Sequence, residues 1–168
     1  MSFFSQRVSR IQPSPTISIT AKAKKLKQEG KKIIDFSAGE PDFDTPDNIK
    51  QAAVKAIEDG QTKYTPVNGT KELIEAIIKK FKRENDLIFE SDEITVGCGG
   101  KQVIYNALVA TIEKGDEIII PAPFWVSYPD MAILVEGHPV VLDCSLENNF
   151  KINPQDLENK ITNRTKWV

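Results

Sequence analysis

A chain of 168 residues that is 40% hydrophobic and 27% charged has the make-up of a soluble globular sequence with one sizeable core, one domain or a domain plus part of another. Its formal charge of −2 comes from interspersed signs, which excludes the basic stripe of a nucleic-acid binder and the polybasic arm of a membrane binder. The opening Met1–Arg7 lacks a signal-peptide core and no apolar run approaches the ~20 residues of a membrane span, so the reading is a cytoplasmic protein whose partners are small solutes.

In chain order, a polar arm leads to Pro13-Ser14-Pro15-Thr16, with Thr16 as the expected cap of an amphipathic helix that ends at Gly30. Ile33–Phe36 reads as a short strand, followed by a loop, Ser37-Ala38-Gly39-Glu40-Pro41-Asp42-Phe43-Asp44, rich in turn formers. Thr45-Pro46 starts a helix whose buried stripe is expected at Ile49, Ala52, Ala53, Ala56 and Ile57. An irregular stretch around Lys63-Tyr64-Thr65-Pro66 precedes a helix from Thr70, with Leu73, Ile74, Ile77, Ile78 and Phe81 on one face, fading at Asn85-Asp86.

Next, Ile94-Thr95-Val96 runs into Gly97-Cys98-Gly99-Gly100-Lys101-Gln102, which reads as strand, tight turn and helix, with Val103, Ile104, Ala107, Leu108 and Ile112 buried and Gly115 closing the segment. A helix N-terminus with bare amides, glycines that open the backbone and Lys101 alongside form a seat for phosphate. Packing alone is the other explanation for such a turn. It is not a P-loop, since Thr95 stands where the first glycine should and Gln102 where Ser or Thr should. Nor is it a dinucleotide fingerprint, since Gln102 also takes the third glycine's place after Gly97 and Gly99.

Ile118-Ile119-Ile120 reads as a fully buried strand leaving through Pro121-Ala122-Pro123-Phe124-Trp125, then a helical turn through Met131 and Leu134, a strand at 139–143 and a helix start at Asn153-Pro154. Thr165-Lys166-Trp167-Val168 reads as a turn into another core strand, as in a chain cut within an element. The alternation predicts an α/β fold, a mostly parallel sheet with helices on both faces, whose ligands gather at the carboxyl ends of strands, with the glycine cluster and Trp125 at one edge. Cys98 and Cys144 share no metal-type spacing and His138 is the lone histidine, so no metal set is expected and both thiols read as reduced and buried.

Several blocks in this order, Ser37 to Phe43, Lys63-Tyr64-Thr65-Pro66, Gly99-Gly100-Lys101-Gln102, Lys114-Gly115-Asp116-Glu117 and Pro123 to Pro129, resemble the fold-type I pyridoxal-phosphate aminotransferases, in particular the bacterial aspartate/prephenate group. The resemblance implies that residues 1–45 are an arm, helix and strand contributing to a small domain and that 46–168 are the first part of the large cofactor-binding domain. It implies that Gly99, Gly100 and Lys101 wall the cofactor phosphate. Trp125 would stack on its ring, where the bare sequence offers a core-filling tryptophan instead. Tyr64 would reach the phosphate of the neighbouring subunit of a homodimer. Gly39 would meet the substrate α-carboxylate, and Thr16 and Lys101, with Trp125 near, would line the substrate pocket. No catalytic residue of the family falls in this chain: its cofactor-bonding lysine is expected beyond Val168, Lys101 does not match it, and the chain alone is expected to be inactive. The implied reaction is transamination between aspartate or glutamate and a 2-oxo acid, with prephenate a further candidate acceptor. A β-elimination or other amino-acid reaction on the same fold, or a non-catalytic interaction module, are the alternatives.

Overall fold

Four consecutive buried residues, Glu117 to Ile120, open β1 (Glu117–Ala122), the strand around which the sheet is built. The β-branched Ile118, Ile119 and Ile120 favour extended backbone, and an unbroken apolar run suits a strand covered on both faces. β2 (His138–Asp143) and β3 (Thr165–Trp167) pair with it in parallel, in the order β2-β1-β3. The β2 register runs from Glu117 opposite His138 to Ala122 opposite Asp143. On the β3 side Glu117 faces Thr165 and Ile118 faces Trp167, so Lys166 is the extra residue of a bulge. The strands expected at 117–120, 139–143 and from Thr165 are therefore all present.

The computed structural model describes residues 3–39 and 41–168; Met1 and Ser2 of the arm and Glu40 of the Ser37–Asp44 loop lie outside the described residues. Two compact units are present, Met1–Ala38 with Ile104–Val168, and Gly39–Val103. The first holds α1 (Gln6–Ser9), α2 (Pro15–Gln28), most of α5 (Gly100–Thr111), α6 (Ser127–Leu134), α7 (Pro154–Lys160) and the sheet. Its core joins Leu108 and Ile112 to Ile118 and Ile120 of β1 and to Met131 and Ala132 of α6, with Phe124, Tyr128 and Trp167 packed against it. Among the described residues no helix is long and apolar enough to cross a membrane.

The second unit holds α3 (Asp47–Glu58), α4 (Lys71–Asn85) and the opening of α5. Thr70 caps α4 by accepting the Leu73 N–H at 3.4 Å, and Asp86 ends it in the left-handed region at φ 55°. In the first unit the Asn153 side chain caps α7 in the same way, accepting the Gln155 N–H at 2.9 Å.

Several expectations are corrected. Ile33–Phe36 and 94–96 form no strand: no ladder partner exists for either among the described residues, and Val96 makes a single N–H bond, 3.0 Å, to the Asn68 carbonyl. Extended backbone without a neighbour is not a sheet. α2 starts one residue before Thr16, at Pro15, so Ser14 holds the cap position and Thr16 sits inside the first turn. α3 starts at Asp47, which moves Pro46 from the first helical position to the cap. Its stripe is not buried, since Ile49 and Ile57 are more than half exposed and no element of the described residues covers them. Val103 and Ile104 of α5 are also exposed, while Leu108 and Ile112 are buried as expected. Cys98, on the glycine turn, is exposed, with no described element packed over it, and Cys144 is buried.

β3 is held to β1 by polar bonds. Glu117, only 4% exposed, takes the Thr162 hydroxyl at 2.6 Å, the Arg164 guanidinium at 2.6 Å and the Thr165 hydroxyl at 3.4 Å. The Thr162 hydroxyl foremost, against the cost of burial, holds its carboxyl below the ordinary value of 4.5, with Arg164 adding to it. A carboxylate with a lowered folded pKa contributes stability that is complete above the unfolded value and is lost as pH falls through the folded one. Thermal unfolding followed from about pH 7 to pH 3 should therefore show a decline beginning near pH 4.5 that Glu117→Gln makes shallower. A variant with the parent's acid profile would remove Glu117 from that decline.

Candidate functional site

Gly97 to Lys101 make the turn into α5. A Cβ on Gly97 would stand 2.7 Å from Val103 Cγ2 and 3.3 Å from Gln102 Oε1, so only glycine allows this return of the chain. Gly99 has φ +85°, a conformation that L side chains rarely adopt, and its N–H bonds back to the Gly97 carbonyl at 2.9 Å. The Gln102 side chain reaches over the turn to accept the Cys98 N–H at 2.6 Å. Space is open around both Gly99 and Gly100: beyond the adjoining chain, no atom lies within 4 Å of where a Cβ would stand on either. Helix geometry leaves the first N–H groups of α5 without intrahelical acceptors, and its first turn carries Lys101 and no acid. The arrangement can seat a phosphate ester: amides and an ammonium of the right sign, with room for the oxygens to approach the backbone.

Trp125 follows the carboxyl end of β1, where a cis Ala122–Pro123 bond and a bond from the Tyr128 N–H to the Trp125 carbonyl, 3.1 Å, shape the turn into α6. It is 48% exposed, whereas its neighbour Phe124 packs on the core. The core-filling role that the sequence also allowed falls to Phe124, and the half-exposed indole suits stacking.

Tyr64 is fully exposed on the loop before α4, and Gly39 has open space where a side chain would stand. Thr16 is exposed in part and lines a groove of about 470 Å³ with Ile19, Lys22, Leu26 and residues 33–37. Gly39, Tyr64 and Gly99 to Lys101 thus belong to one unit and Thr16 and Trp125 to the other.

One polar cluster had no part in the sequence reading. Asp35 Oδ1 accepts both the Ser37 N–H at 3.1 Å and the Ser37 hydroxyl at 2.6 Å, while Lys27 reaches Oδ2 at 3.2 Å. The Ser37 hydroxyl foremost holds the Asp35 carboxyl down at about 2. The signal was present as Asp-x-Ser ahead of a glycine loop, the spacing at which an aspartate bonds the backbone two residues on. Reading 33–36 as a strand hid it.

The model of the family described as aminotransferase class I and II matches residues 31–168. A probable aspartate/prephenate aminotransferase of Rickettsia conorii is 57% identical over all of this chain, and an aspartate/prephenate aminotransferase of Nitrosomonas europaea is 59% identical over 96% of it. The chain spans 42% and 41% of the length of these relatives. Among solved structures, the aspartate aminotransferase from Rhizobium meliloti superposes with a TM-score of 0.95 at 48% identity, covering 100% of this chain and 42% of that one. The Thermus thermophilus aspartate aminotransferase with maleate gives 0.93 at 42% identity, covering 99% and 44%. With most of its length matched to the family model and a parallel sheet flanked by helices, the chain belongs to the class I and II aminotransferase family.

Proposed function

We propose that this chain is part of a longer enzyme that moves an amino group between aspartate or glutamate and a 2-oxo acid, with pyridoxal 5'-phosphate as cofactor. The observation that carries the reading is the open turn at Gly99 and Gly100 beside Lys101, a phosphate seat on a chain of this family. When bound, the cofactor supplies an electron sink for bond cleavage at the amino-acid α-carbon. The chain's own residues bind and orient. The Gly99–Lys101 backbone and the Lys101 ammonium hold the phosphate oxygens. Trp125 covers one face of the ring and excludes water there. The Gly39 backbone meets the substrate α-carboxylate, and Tyr64, standing clear of its own fold, serves the phosphate of a second copy in a homodimer.

Thr16 and Lys101 are assigned to the distal carboxylate of the substrate. Support for a dicarboxylic substrate comes from the names of the relatives and from the Thermus thermophilus structure with maleate, itself a dicarboxylate. A charge-assisted hydrogen bond contributes roughly 1.5–3 kcal/mol, enough for about tenfold discrimination against an uncharged side chain.

The test is kinetic. The complete protein, supplied with aspartate and a 2-oxo acid, should form a new amino acid and run as a dimer in sedimentation. Thr16→Ala and Lys101→Ala should lower kcat/KM for aspartate about tenfold more than for phenylalanine. Equal losses for both donors would end the distal-carboxylate role, and release of ammonia in place of a new amino acid would replace transamination with elimination.

A further inference from the structure

The polar cluster on Asp35 is bonded to the helix that carries Thr16 and stands two residues before Gly39, both of which the proposed function gives to the substrate. From α2, Thr20 Oγ1 lies 2.8 Å from the Thr16 carbonyl and 3.1 Å from the Ser37 hydroxyl. The Ser37 hydroxyl proton goes to Asp35 Oδ1, so the Ser37 oxygen accepts, and the single Thr20 hydroxyl proton is shared between it and the nearer Thr16 carbonyl. Asp35 Oδ1 also holds the Ser37 N–H, and Lys27, near the end of α2, holds Oδ2. Among the described residues the segment 33–37 has no sheet ladder. The cluster supplies its side-chain hydrogen bonds to α2, and Gly39 follows Ser37 by two residues.

We propose that Asp35 and Ser37 are positioning residues for substrate: together they brace the first turns of α2, which carry Thr16, to the chain that delivers the Gly39 backbone. The inference rests on the substrate roles given above to Thr16 and Gly39. Neither Asp35 nor Ser37 touches substrate. Asp35 closes the turn at Ser37, Ser37 carries the connection to Thr20, and Lys27 holds the other carboxylate oxygen.

A positioning defect of this kind weakens binding in ground state and transition state alike, and so appears in KM. In the complete protein, Asp35→Ala and Ser37→Ala should raise KM for aspartate and the dissociation constant of maleate by about three- to tenfold, the loss expected for a charge-assisted hydrogen bond at a partly exposed carboxylate. Their kcat, cofactor absorption and unfolding temperature should stay with the parent. Ser37→Thr, which keeps the hydroxyl, should bind maleate as the parent does. Parent-like KM and maleate binding in both alanine variants overturns the brace. So does a fall in unfolding temperature with kcat and KM both damaged, which marks a structural role. Failure of the underlying reading looks different: the unmodified protein would neither turn over aspartate nor bind maleate, or Thr16→Ala would leave KM untouched.

Discussion

Gly99→Val should weaken the binding of pyridoxal phosphate that is proposed above for the complete protein, while leaving its core intact. The residue sits at φ +85°, where a β-branched side chain is disfavoured, and strain of this sort costs about 1–3 kcal/mol. The turn relieves it by rotating Gly99 out of the left-handed region, which carries away the amides of Gly100 and Lys101 and breaks the bond from the Gly99 N–H to the Gly97 carbonyl. Affinity for pyridoxal phosphate, measured on protein freed of cofactor, should fall about tenfold or more, as expected when phosphate loses amide and charge contacts together. Far-ultraviolet circular dichroism should change little, and the unfolding midpoint should fall by no more than that strain accounts for, since no neighbouring side chain is displaced. Parent-like cofactor affinity would dissociate the turn from phosphate binding. Gly97→Ala acts by a different route, because its Cβ would meet Val103 Cγ2 at 2.7 Å.

Ile119→Ala should be the most damaging core substitution for stability, costing about 2–5 kcal/mol. Ile119 is 1% exposed on the central strand of the sheet, opposite Val140 of β2, and a void there cannot close without moving that strand. Chemical denaturation of the complete protein would show a lower midpoint with catalysis per folded molecule retained. A midpoint within error of the parent would mean that the strand closes over the cavity.

The sheet was legible because its signals are carried by the strands' own letters. Ile118 to Ile120 and Val140 to Leu142 are apolar runs bounded by turn formers, and Thr165 to Trp167 needed only its neighbour β1 to become a strand. Thr70, Asn153 and Asp86 also did locally what their side-chain chemistry foretold. What failed depended on a partner. Ile33–Phe36 and 94–96 have strand-forming residues and, among the described residues, no strand to bond, and the α3 face has helical spacing and nothing described against it. The glycine turn could be read from Gly99 and Lys101 because backbone conformation and helix polarity are written into those residues. The roles of Tyr64, Gly39 and Thr16 could not be read that way. A fully exposed tyrosine, a loop glycine and a first-turn threonine are ordinary in isolation, and their assignment comes from resemblance.

The Glu117 cluster also bears on the order of assembly. Its bonds join residues 45, 47 and 48 positions apart, whereas β1 and β2 are separated by little more than α6. Closing the longer loop has the larger entropic cost, though each doubling adds only about 0.6 kcal/mol. During synthesis from the N-terminus, β1 and β2 can pair before β3 exists, and that edge of β1 must wait with its Glu117 carboxylate hydrated and its backbone groups bonded to water. A waiting edge is also where another strand can pair wrongly. Binding of Glu117 by Thr162, Arg164 and Thr165 therefore acts as a selector as well as a fastening: a strand lacking those three groups would have to dehydrate a carboxylate and give it nothing in return.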